Sequence, residues 1–536
     1  MIENETYRFG SAVFSDLQDI RRAGLLQASD LALFTGFCGK YPLWYNQAGG
    51  GLLVAGARGG KLSTILGYNL CAGMYSAGTM LVLDMKGEQA CISQDQTPDQ
   101  KFNIYWNPAG LHGLIQHRLN PVCYIRIDSK TLVSDVKVFC ENIIPLSGSP
   151  QGAYFERRAR EFLEAIILTL VRLKGILTLP DIYQAINLIP GGGDEWIDFA
   201  FEMSEAGFEI SARIEEEIAT SRENPTGGFQ GILGEIFKAF APLSDPILLE
   251  SVSPYADGSF DCSLEDLCRS DQAYQMYLMP PAEFVEAWSP VIKAIFVGAM
   301  IYKARHPQAP QQTWILDECA QLGKFPLITK LYTYGAGIGI RPFAVYQSIH
   351  QMDATGPNAK SIISGNAALK IYFAVRDIES ASTLSRMLGH QTLEFDDELQ
   401  QARARHAKTQ AVQSFISGGD PLAASITYAH HRKEAEHRTK QQRLLRTPDE
   451  ILNMPHDKMI MFVDGLEHPI YADRTPYYEQ NWMAGRFHPN PYHPPLDAVR
   501  VKTRFGYGWR RVVKEPVPQR FAHYPQYKDG IWSRVS

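Results

Sequence analysis

The chain has 536 residues, of which 45% are hydrophobic and 11% aromatic, and its formal net charge is −6. This composition is typical of a globular protein with a large buried core, and the negative balance excludes a simple basic protein that coats nucleic acid. The eight cysteines are scattered without the paired spacing of a zinc site, so we expect free thiols in a reducing compartment.

Residues 51–84 have the pattern of a βαβ unit. A short apolar run at 52–54 leads into a glycine-rich turn at 56–60, a helical segment at 62–75 follows, and a second apolar run covers 79–84. This alternation predicts a parallel sheet with helices on its faces.

From about residue 132 the pattern becomes helical. Apolar residues recur three to four positions apart within 155–174. Thr178 followed by Pro180 predicts a helix start, and the Asn-Pro-Thr-Gly-Gly stretch at 224–228 predicts a break. We interpret residues 177–250 as an all-helical insertion.

Strand-like runs return after this insertion, at 273–278, 313–317, 341–347, 368–374 and 458–463. The prediction is an α/β fold with a mainly parallel sheet, in which residues 1–176 and 251–480 form one domain around the insertion. Residues 396–446 are polar and charged and predict a flexible loop or a long exposed helix. Residues 481–536 carry ten Lys and Arg against three Asp and Glu, and are predicted to form a basic, irregular C-terminal arm rich in proline and aromatic residues.

A glycine-rich string between the first strand and helix is the first candidate site. Its members are Ala55, Gly56, Ala57, Arg58, Gly59, Gly60, Lys61, Leu62 and Ser63. Glycines let backbone N–H groups converge on phosphate oxygens at a helix N-terminus, and Lys61 would reach the β- and γ-phosphates. The string departs from the P-loop pattern at Ala55 and Leu62, so that Ser63 or Thr64 would have to supply the hydroxyl for Mg²⁺. A plain glycine-rich turn fits the string alone equally well.

Polar residues follow three other predicted strands. Asp317 and Glu318 end the run at 313–317; Asp317 would hold Mg²⁺ and Glu318 would activate water for nucleotide hydrolysis. Asp84 ends the strand at 79–84, with Lys86 and Glu88 after it, and Gln347 ends the strand at 341–347. Carboxyl ends of parallel strands face one crevice, so we expect these groups to meet. Solvated acids and surface amides are the alternative interpretation of each group taken singly.

Together these stretches resemble the type IV secretion coupling proteins, the TraG/TraD class of conjugation ATPases. The similar motifs are Gly10-Ser11-Ala12, the P-loop string, Asp84-Met85-Lys86-Gly87-Glu88, Asn107-Pro108, Asn120-Pro121, Leu316-Asp317-Glu318 with Leu322-Gly323, Gln347-Ser348 with Gln351, Ser385-Arg386-Met387-Leu388-Gly389, and Arg446-Thr447-Pro448 with Met454-Pro455.

The resemblance implies a RecA-like nucleotide-binding domain with an inserted all-α domain, ATP and Mg²⁺ as cofactors, and a homo-hexamer with ATP sites between subunits. It further implies transfer of relaxase–DNA complexes, with single-stranded DNA, or of effector proteins to a secretion channel. Arg376 and Arg386 are both candidates for the arginine that acts on a neighbouring subunit's nucleotide.

The chain departs from the family at its start, where the usual pair of transmembrane helices is not seen. The first ten residues have no apolar core of a signal peptide, and no run of about 18 apolar residues is present. Either the chain is a naturally soluble variant or its anchor is missing, and we expect a cytoplasmic protein that reaches the inner membrane through its partners.

Two other functions compete with an ATP-driven, DNA-stimulated motor. The substitution at Leu62 leaves open a non-hydrolysing recruitment platform, and the shared core leaves open a double-strand DNA translocase of the chromosome-pump type. Basic stretches at 403–408 and 430–443, and the mixed basic and aromatic tail, are candidates for contact with DNA. A solvated helix, or docking of a partner protein on the tail, explains them as well.

Overall fold

The computed structural model describes residues 10–94, 101–223, 227–395, 398–418, 420–436 and 439–536. The chain divides into two compact units. The larger comprises Leu17–Ala374, His456–Gly465 and Tyr471–Ser536, and the smaller comprises Met1–Asp16, Val375–Pro455 and Leu466–Ile470.

Sixteen strands lie within the described residues. They are β1 (Leu33–Cys38), β2 (Tyr41–Tyr45), β3 (Gly51–Ala55), β4 (Thr79–Leu83), β5 (Lys101–Trp106), β6 (Ala273–Leu278), β7 (Gln312–Leu316), β8 (Ile340–Tyr346), β9 (Leu369–Phe373), β10 (His390–Phe395), β11 (Thr439–Leu444), β12 (Lys458–Val463), β13 (Ile470–Asp473), β14 (Ala498–Thr503), β15 (Gly506–Pro516) and β16 (Ile531–Val535).

Seventeen α-helices lie in the same described part of the chain. They are α1 (Leu17–Arg22), α2 (Gly67–Leu70), α3 (Glu88–Ile92), α4 (Leu132–Ile143), α5 (Pro150–Lys174), α6 (Leu179–Gly191), α7 (Asp194–Glu205), α8 (Glu209–Glu223), α9 (Gly227–Phe240), α10 (Pro246–Ser251), α11 (Val285–Arg305), α12 (Pro326–Tyr334), α13 (Ala359–Asn366), α14 (Ile378–Leu388), α15 (Glu398–Ser417), α16 (Pro421–Glu436) and α17 (Pro448–Leu452).

A mostly parallel sheet forms the centre of the larger unit, with the strand order β2-β1-β13-β12-β9-β3-β8-β7-β4-β6-β5. The run from β9 to β5 is parallel throughout, whereas β12 pairs antiparallel with β9, and β1 pairs antiparallel with β2 and β13. Every residue of β3, β4 and β7 is buried, as expected of parallel strands covered on both faces. The predicted α/β class is confirmed. Because β3, β4, β7 and β8 are parallel, the residues that follow them lie together at the carboxyl edge of the sheet.

The helix after β3 is shorter than the sequence pattern predicts. Leu62–Leu66 is a π-helical turn, α2 ends at Leu70, and the chain then turns before β4. The apolar residues that suggested a helix to position 75 are buried in these turns: Cys71 and Met74 pack against Phe34 in the core. Their burial accounts for the apolar pattern without helical structure.

Helices α4–α10 separate β5 from β6 in the chain. The predicted start at Thr178 is confirmed, because its side chain and that of Asp181 form a reciprocal capping box at the N-terminus of α6. Residues 224–226, where a break is predicted, lie outside the described part of the chain. The boundaries 177 and 250 of the helical insertion stay a prediction.

Helix α11 is the one described helix that is long and apolar enough to cross a membrane, with a mean hydropathy of 1.3 over its most apolar window. Of that window 78% is buried inside the protein. A helix that packs on all sides in a core is apolar all round, and this packing accounts for the composition of α11.

The C-terminal arm is not irregular, contrary to the prediction. Strands β14, β15 and β16 form an antiparallel sheet in the order β14-β15-β16. Val499 and Val501 of β14 are buried in the cluster that contains Phe34, Tyr68 and Phe487. Residues 498–503 form a strand because alternate side chains are buried on one face of the segment.

The smaller unit contains the antiparallel pair β10–β11 and helices α14–α17. Its described residues between 398 and 436 form α15 and α16, which agrees with the helical alternative for this stretch. Arg403 and Arg405 are exposed on α15, and Arg376 and Arg386 are also exposed. Arg438 of the second basic stretch lies outside the described residues.

Candidate functional site

The glycine-rich loop after β3 is shaped by close backbone contacts. The N–H of Gly59 donates to the carbonyl oxygen of Gly56 at 3.0 Å, and the N–H of Gly56 donates to Ala374 O at 3.2 Å. A Cβ on Gly59 would lie 2.8 Å from Gly56 O, and Gly60 has a φ of 85°. Both positions therefore require glycine.

Most of the predicted loop residues line one cavity of about 1040 Å³. The lining members of the loop are Ala57, Arg58, Gly59, Gly60, Lys61, Leu62 and Ser63. Ala55 and Gly56 are buried behind them. The hydroxyls of Ser63 and Thr64 both donate back to Gly60 O, at 3.2 and 2.8 Å. In this conformation the two hydroxyls stabilise the first turn after the loop.

Lys61 faces the acid that follows β7. Its Nζ lies 3.5 Å from Asp317 Oδ1, and among the described residues this buried Nζ has no hydrogen-bond partner. Asp317 also accepts from Gln89 Nε2 at 3.1 Å and from the backbone N–H of Glu318 at 3.0 Å. Burial, and secondarily the charge of Glu318, raises the pKa of Asp317, whereas Lys61 lowers it.

Asp84, at the end of β4, is buried beside this acid. Its Oδ2 accepts the backbone N–H of Ala90 at 2.8 Å. Burial, together with the negative charges of Asp317 and Glu88, raises the pKa of Asp84 to about 7, against the lowering effect of the Ala90 N–H. A cation close to Asp84 and Asp317 would relieve this cost.

The oxygen donors at this place fit a magnesium ion. Mg²⁺ prefers oxygen ligands. Asp84 and Asp317 supply two carboxylates that lie close enough for the charge of Asp317 to raise the pKa of Asp84. The neighbouring Gln89 Oε1 is buried and, among the described residues, lacks a hydrogen-bond partner. Gln89 was missed by the sequence reasoning, although it directly follows the Asp-Met-Lys-Gly-Glu stretch.

Glu318 is held between two amides. Gln321 Nε2 donates to its Oε2 at 2.9 Å, and Gln347 Nε2 lies 3.4 Å from its Oε1. Glu318 has a positive φ of 50°, which is a strained backbone for a residue with a side chain. The structure thus brings Gln347 and Glu318 together at the cavity, as the strand pattern predicts, with Asp317 beside them.

Arg474 supports the loop from behind. Its guanidinium lies 4.1 Å above the ring of Phe373 and donates from Nη1 to Gly59 O. Burial lowers its pKa to about 10, so it is charged at neutral pH. No local sequence pattern indicates a role for Arg474, because it follows β13, far from the loop along the chain.

The carboxyl edge of the sheet therefore brings together in one cavity Lys61, Asp84, Gln89, Asp317, Glu318 and Gln347. The sequence model of the family described as "Type IV secretory system Conjugative DNA transfer" matches residues 14–417 and 421–501. The chain belongs to this family. The predicted resemblance to conjugative coupling proteins is confirmed, and the chain is a conjugative DNA-transfer protein of this class.

Two curated relatives are the "Conjugal transfer protein TraG" of Escherichia coli. One is 23% identical over 90% of this chain and 78% of its own length, and the other is 21% identical over 88% and 77%. Both alignments span most of each protein.

Solved structures of the bacterial conjugative coupling protein TrwB share the fold. The sulphate complex of TrwBdeltaN70 has a TM-score of 0.57 and 15% identity, and covers 87% of this chain and 96% of TrwB. A TrwB complex with ADP and Mg²⁺ and one with ADPNP each have a TM-score of 0.56, 15% identity and the same coverage. The predicted RecA-like architecture is confirmed by this likeness.

Proposed function

We propose that the chain is an ATP-hydrolysing coupling motor of conjugative DNA transfer. The observation that carries the proposal is the arrangement of Lys61, Asp317 and Glu318 in one cavity at the carboxyl edge of the parallel sheet, where β8 lies between β3 and β7. TrwB, which shares the fold, forms complexes with ADP and Mg²⁺ and with ADPNP. We therefore assign ATP and Mg²⁺ as the cofactors of this chain.

The glycine loop would bind the phosphates. The buried Lys61 Nζ contacts Asp317 only through a 3.5 Å ion pair. Breaking this pair would cost little free energy, so the ammonium group could bind phosphate oxygens instead. Asp317 and Asp84 are then free to bind Mg²⁺, which neutralises charge on the β- and γ-phosphates when bound. Ser63 would join the metal shell after its hydroxyl leaves Gly60 O.

Glu318 is assigned as the general base. Its two amide contacts hold the carboxylate in one orientation while leaving lone pairs for a water molecule. Gln347 lies against Glu318 and would position the same water or contact the γ-phosphate. Either Arg376 or Arg386 would complete the site of a neighbouring subunit in a hexamer.

Membership of the conjugative DNA-transfer family supports a role in conjugation for the proposed hydrolysis. We propose that the motor recruits relaxase-bound single-stranded DNA, or effector proteins, to the channel of a type IV secretion system. It would work at the cytoplasmic face of the inner membrane, in contact with channel subunits.

Hydrolysis by the full chain tests the proposal. Mg²⁺-dependent ATPase activity is expected for the wild type, with an increase when single-stranded DNA is added. Lys61→Ala is expected to lose activity and ATP binding. Lys40→Ala, which removes an exposed lysine elsewhere in the larger unit, is the matched control and is expected to keep both. Equal rates for wild type and Lys61→Ala would refute the proposal.

A non-hydrolysing recruitment platform is the second candidate. It is favoured by one observation: the hydroxyls of Ser63 and Thr64 are both bound to Gly60 O, so that neither is directed to a metal. This candidate predicts normal DNA transfer in cells that carry Glu318→Gln. Loss of transfer with normal protein abundance would exclude it.

A further inference from the structure

The cavity has a second wall that the assigned phosphate and metal groups do not use. We call it the C-terminal wall. It is formed by lining residues between 477 and 509, among them Tyr477, Tyr478, His488, Asn490, Arg500 and Trp509. At about 1040 Å³ the cavity lies at the upper end of the range for small-molecule sites, which leaves room beyond a triphosphate.

Specific contacts fix this wall to the phosphate side of the cavity. The ring of Tyr477 packs so closely on the helix after the glycine loop that a Cβ on Gly67 would lie 2.7 Å from Tyr477 Cδ1. Asn490 donates to Glu88, and the Tyr492 hydroxyl donates to Lys86 O at 3.3 Å. The wall is therefore a built part of the site.

The sheet formed by β14 and β15 gives this wall an aromatic and basic face. Val499 and Val501 are directed into the core, so Arg500 lies on the opposite face of β14. Arg500 pairs across the strands with Trp509, and its guanidinium lies 4.1 Å above the ring of Tyr507. Trp509 is 60% exposed and Tyr478 is 42% exposed, although both line the cavity.

Exposed aromatic faces next to a guanidinium are suited to stacking on a flat heteroaromatic ring. Phosphate groups do not stack on an indole ring. A purine base, in contrast, would stack on the exposed rings of Trp509 and Tyr478. The family match ends at residue 501, so Trp509 lies beyond the matched segment. The Nδ1 atom of His488, in the same wall, is buried and has no hydrogen-bond partner among the described residues. It is therefore available for a hydrogen bond to a ligand.

We propose that the C-terminal wall is the base subsite of the nucleotide cavity, in which a purine ring stacks on Trp509 and Tyr478 beside Arg500. The inference rests on the proposed nucleotide site, and it adds the part of the ligand that the glycine loop does not bind. Trp509 is a binding residue in this assignment and takes no part in hydrolysis.

Calorimetric titration of the full chain with two probes separates the two walls. The probes are ATP and inorganic tripolyphosphate, each with Mg²⁺. Trp509→Ala is expected to weaken ATP binding about 5- to 100-fold and to leave tripolyphosphate binding unchanged, because it removes the ring on which the base stacks. Trp509→Phe is expected to restore most of the affinity.

Phe505→Ala is the matched control. Phe505 lies in the turn of the same hairpin and is 94% exposed, and it is not among the residues that line the cavity. Its removal is expected to change neither titration. Lys61→Ala is expected to weaken the binding of both ATP and tripolyphosphate. This result would identify the phosphate side of the cavity independently of the base subsite.

Wild-type affinity for ATP in Trp509→Ala, together with loss in Lys61→Ala, would overturn the base subsite and leave the proposed function intact. A third titration, with a single-stranded oligothymidine, tests the other use of an aromatic and basic face. If Trp509→Ala weakened only the oligonucleotide, the face would be a nucleic-acid surface and the inference would be wrong. If the wild type bound neither ATP nor tripolyphosphate, both proposals would fail.

Discussion

Arg474 donates a hydrogen bond from Nη1 to the carbonyl oxygen of Gly59 at 2.5 Å, although 415 positions separate the two residues in the chain. The same guanidinium stacks on Phe373 at the end of β9, which neighbours β3 in the sheet. The glycine loop is thus supported by the residue that follows β13 and by the end of β9. Its conformation depends on tertiary contacts as well as on its own glycines.

Replacement of Arg474 by lysine keeps the charge but removes the planar fork and its stacking on Phe373. We expect a loss of about 1–2 kcal/mol of stability and an ATP affinity lowered about 5- to 10-fold, because one of these contacts is a charged hydrogen bond and the other a cation–π contact. Thermal unfolding and calorimetry measure the two effects. Arg157→Lys, at an exposed position of α5, is the control and is expected to change neither. Unchanged ATP affinity in Arg474→Lys would show that the loop keeps its shape unaided.

Gly59→Ala tests the close approach within the loop. The added Cβ would meet Gly56 O at 2.8 Å and Ala374 Cβ at 2.9 Å, so the backbone must shift. We expect a cost of about 1–3 kcal/mol and a marked loss of ATP binding. Gly234→Ala in α9, where a Cβ has open space, is expected to be neutral or to stabilise by up to about 1 kcal/mol. The same melting temperature and affinity in Gly59→Ala as in the wild type would contradict the steric account.

The pH dependence of stability reports on Asp84. The pKa of its carboxyl is raised to about 7 in the folded protein, above the ordinary value of 3.8. The folded state therefore holds the proton more tightly than the unfolded state, and this group's contribution to stability declines as pH rises from about 4 to about 7. Asp84→Asn removes the cost of the buried charge. Without nucleotide or Mg²⁺, we expect its melting temperature to exceed that of the wild type at pH 8, with a smaller difference at pH 5.

The control for this measurement is Asp497→Asn, at an exposed position, for which we expect no change with pH. A difference between Asp84→Asn and the wild type that is constant with pH, or that grows toward pH 5, would contradict the assigned pKa. Addition of Mg²⁺ is expected to stabilise the wild type more than the variant at pH 8, because the proposed magnesium site includes the ionised carboxylate of Asp84.

Much of the phosphate side of the site was predictable from local sequence. Asp84, Asp317 and Gln347 directly follow apolar strands, and parallel strands end at a common edge. The pattern predicts their proximity without any knowledge of side-chain contacts. The buried strands β6 and β12 have the predicted bounds, because their apolar runs match the strand length.

The rest of the site depends on contacts between distant parts of the chain. Nothing near Arg474 indicates that its guanidinium lies beneath Gly59, and Gln89 acquires its role only when β4 and β7 are neighbours. The C-terminal sheet was hidden because its buried residues, Val499 and Val501, are few and lie among charged ones. Their burial becomes favourable only against the cluster around Tyr68 and Phe487, which local periodicity cannot reveal.

The ATPase rate of Glu318→Gln, measured in the full chain with Mg²⁺ and single-stranded DNA, tests the central claim most directly. The account predicts a rate about 10²- to 10⁴-fold below that of the wild type, with ATP affinity nearly unchanged, because the substitution removes the general base and keeps the shape of the site. Glu216→Gln, on the exposed surface of α8, is expected to match the wild type. A Glu318→Gln protein that hydrolyses ATP at the wild-type rate would contradict the assignment of this cavity as the hydrolytic site of the motor.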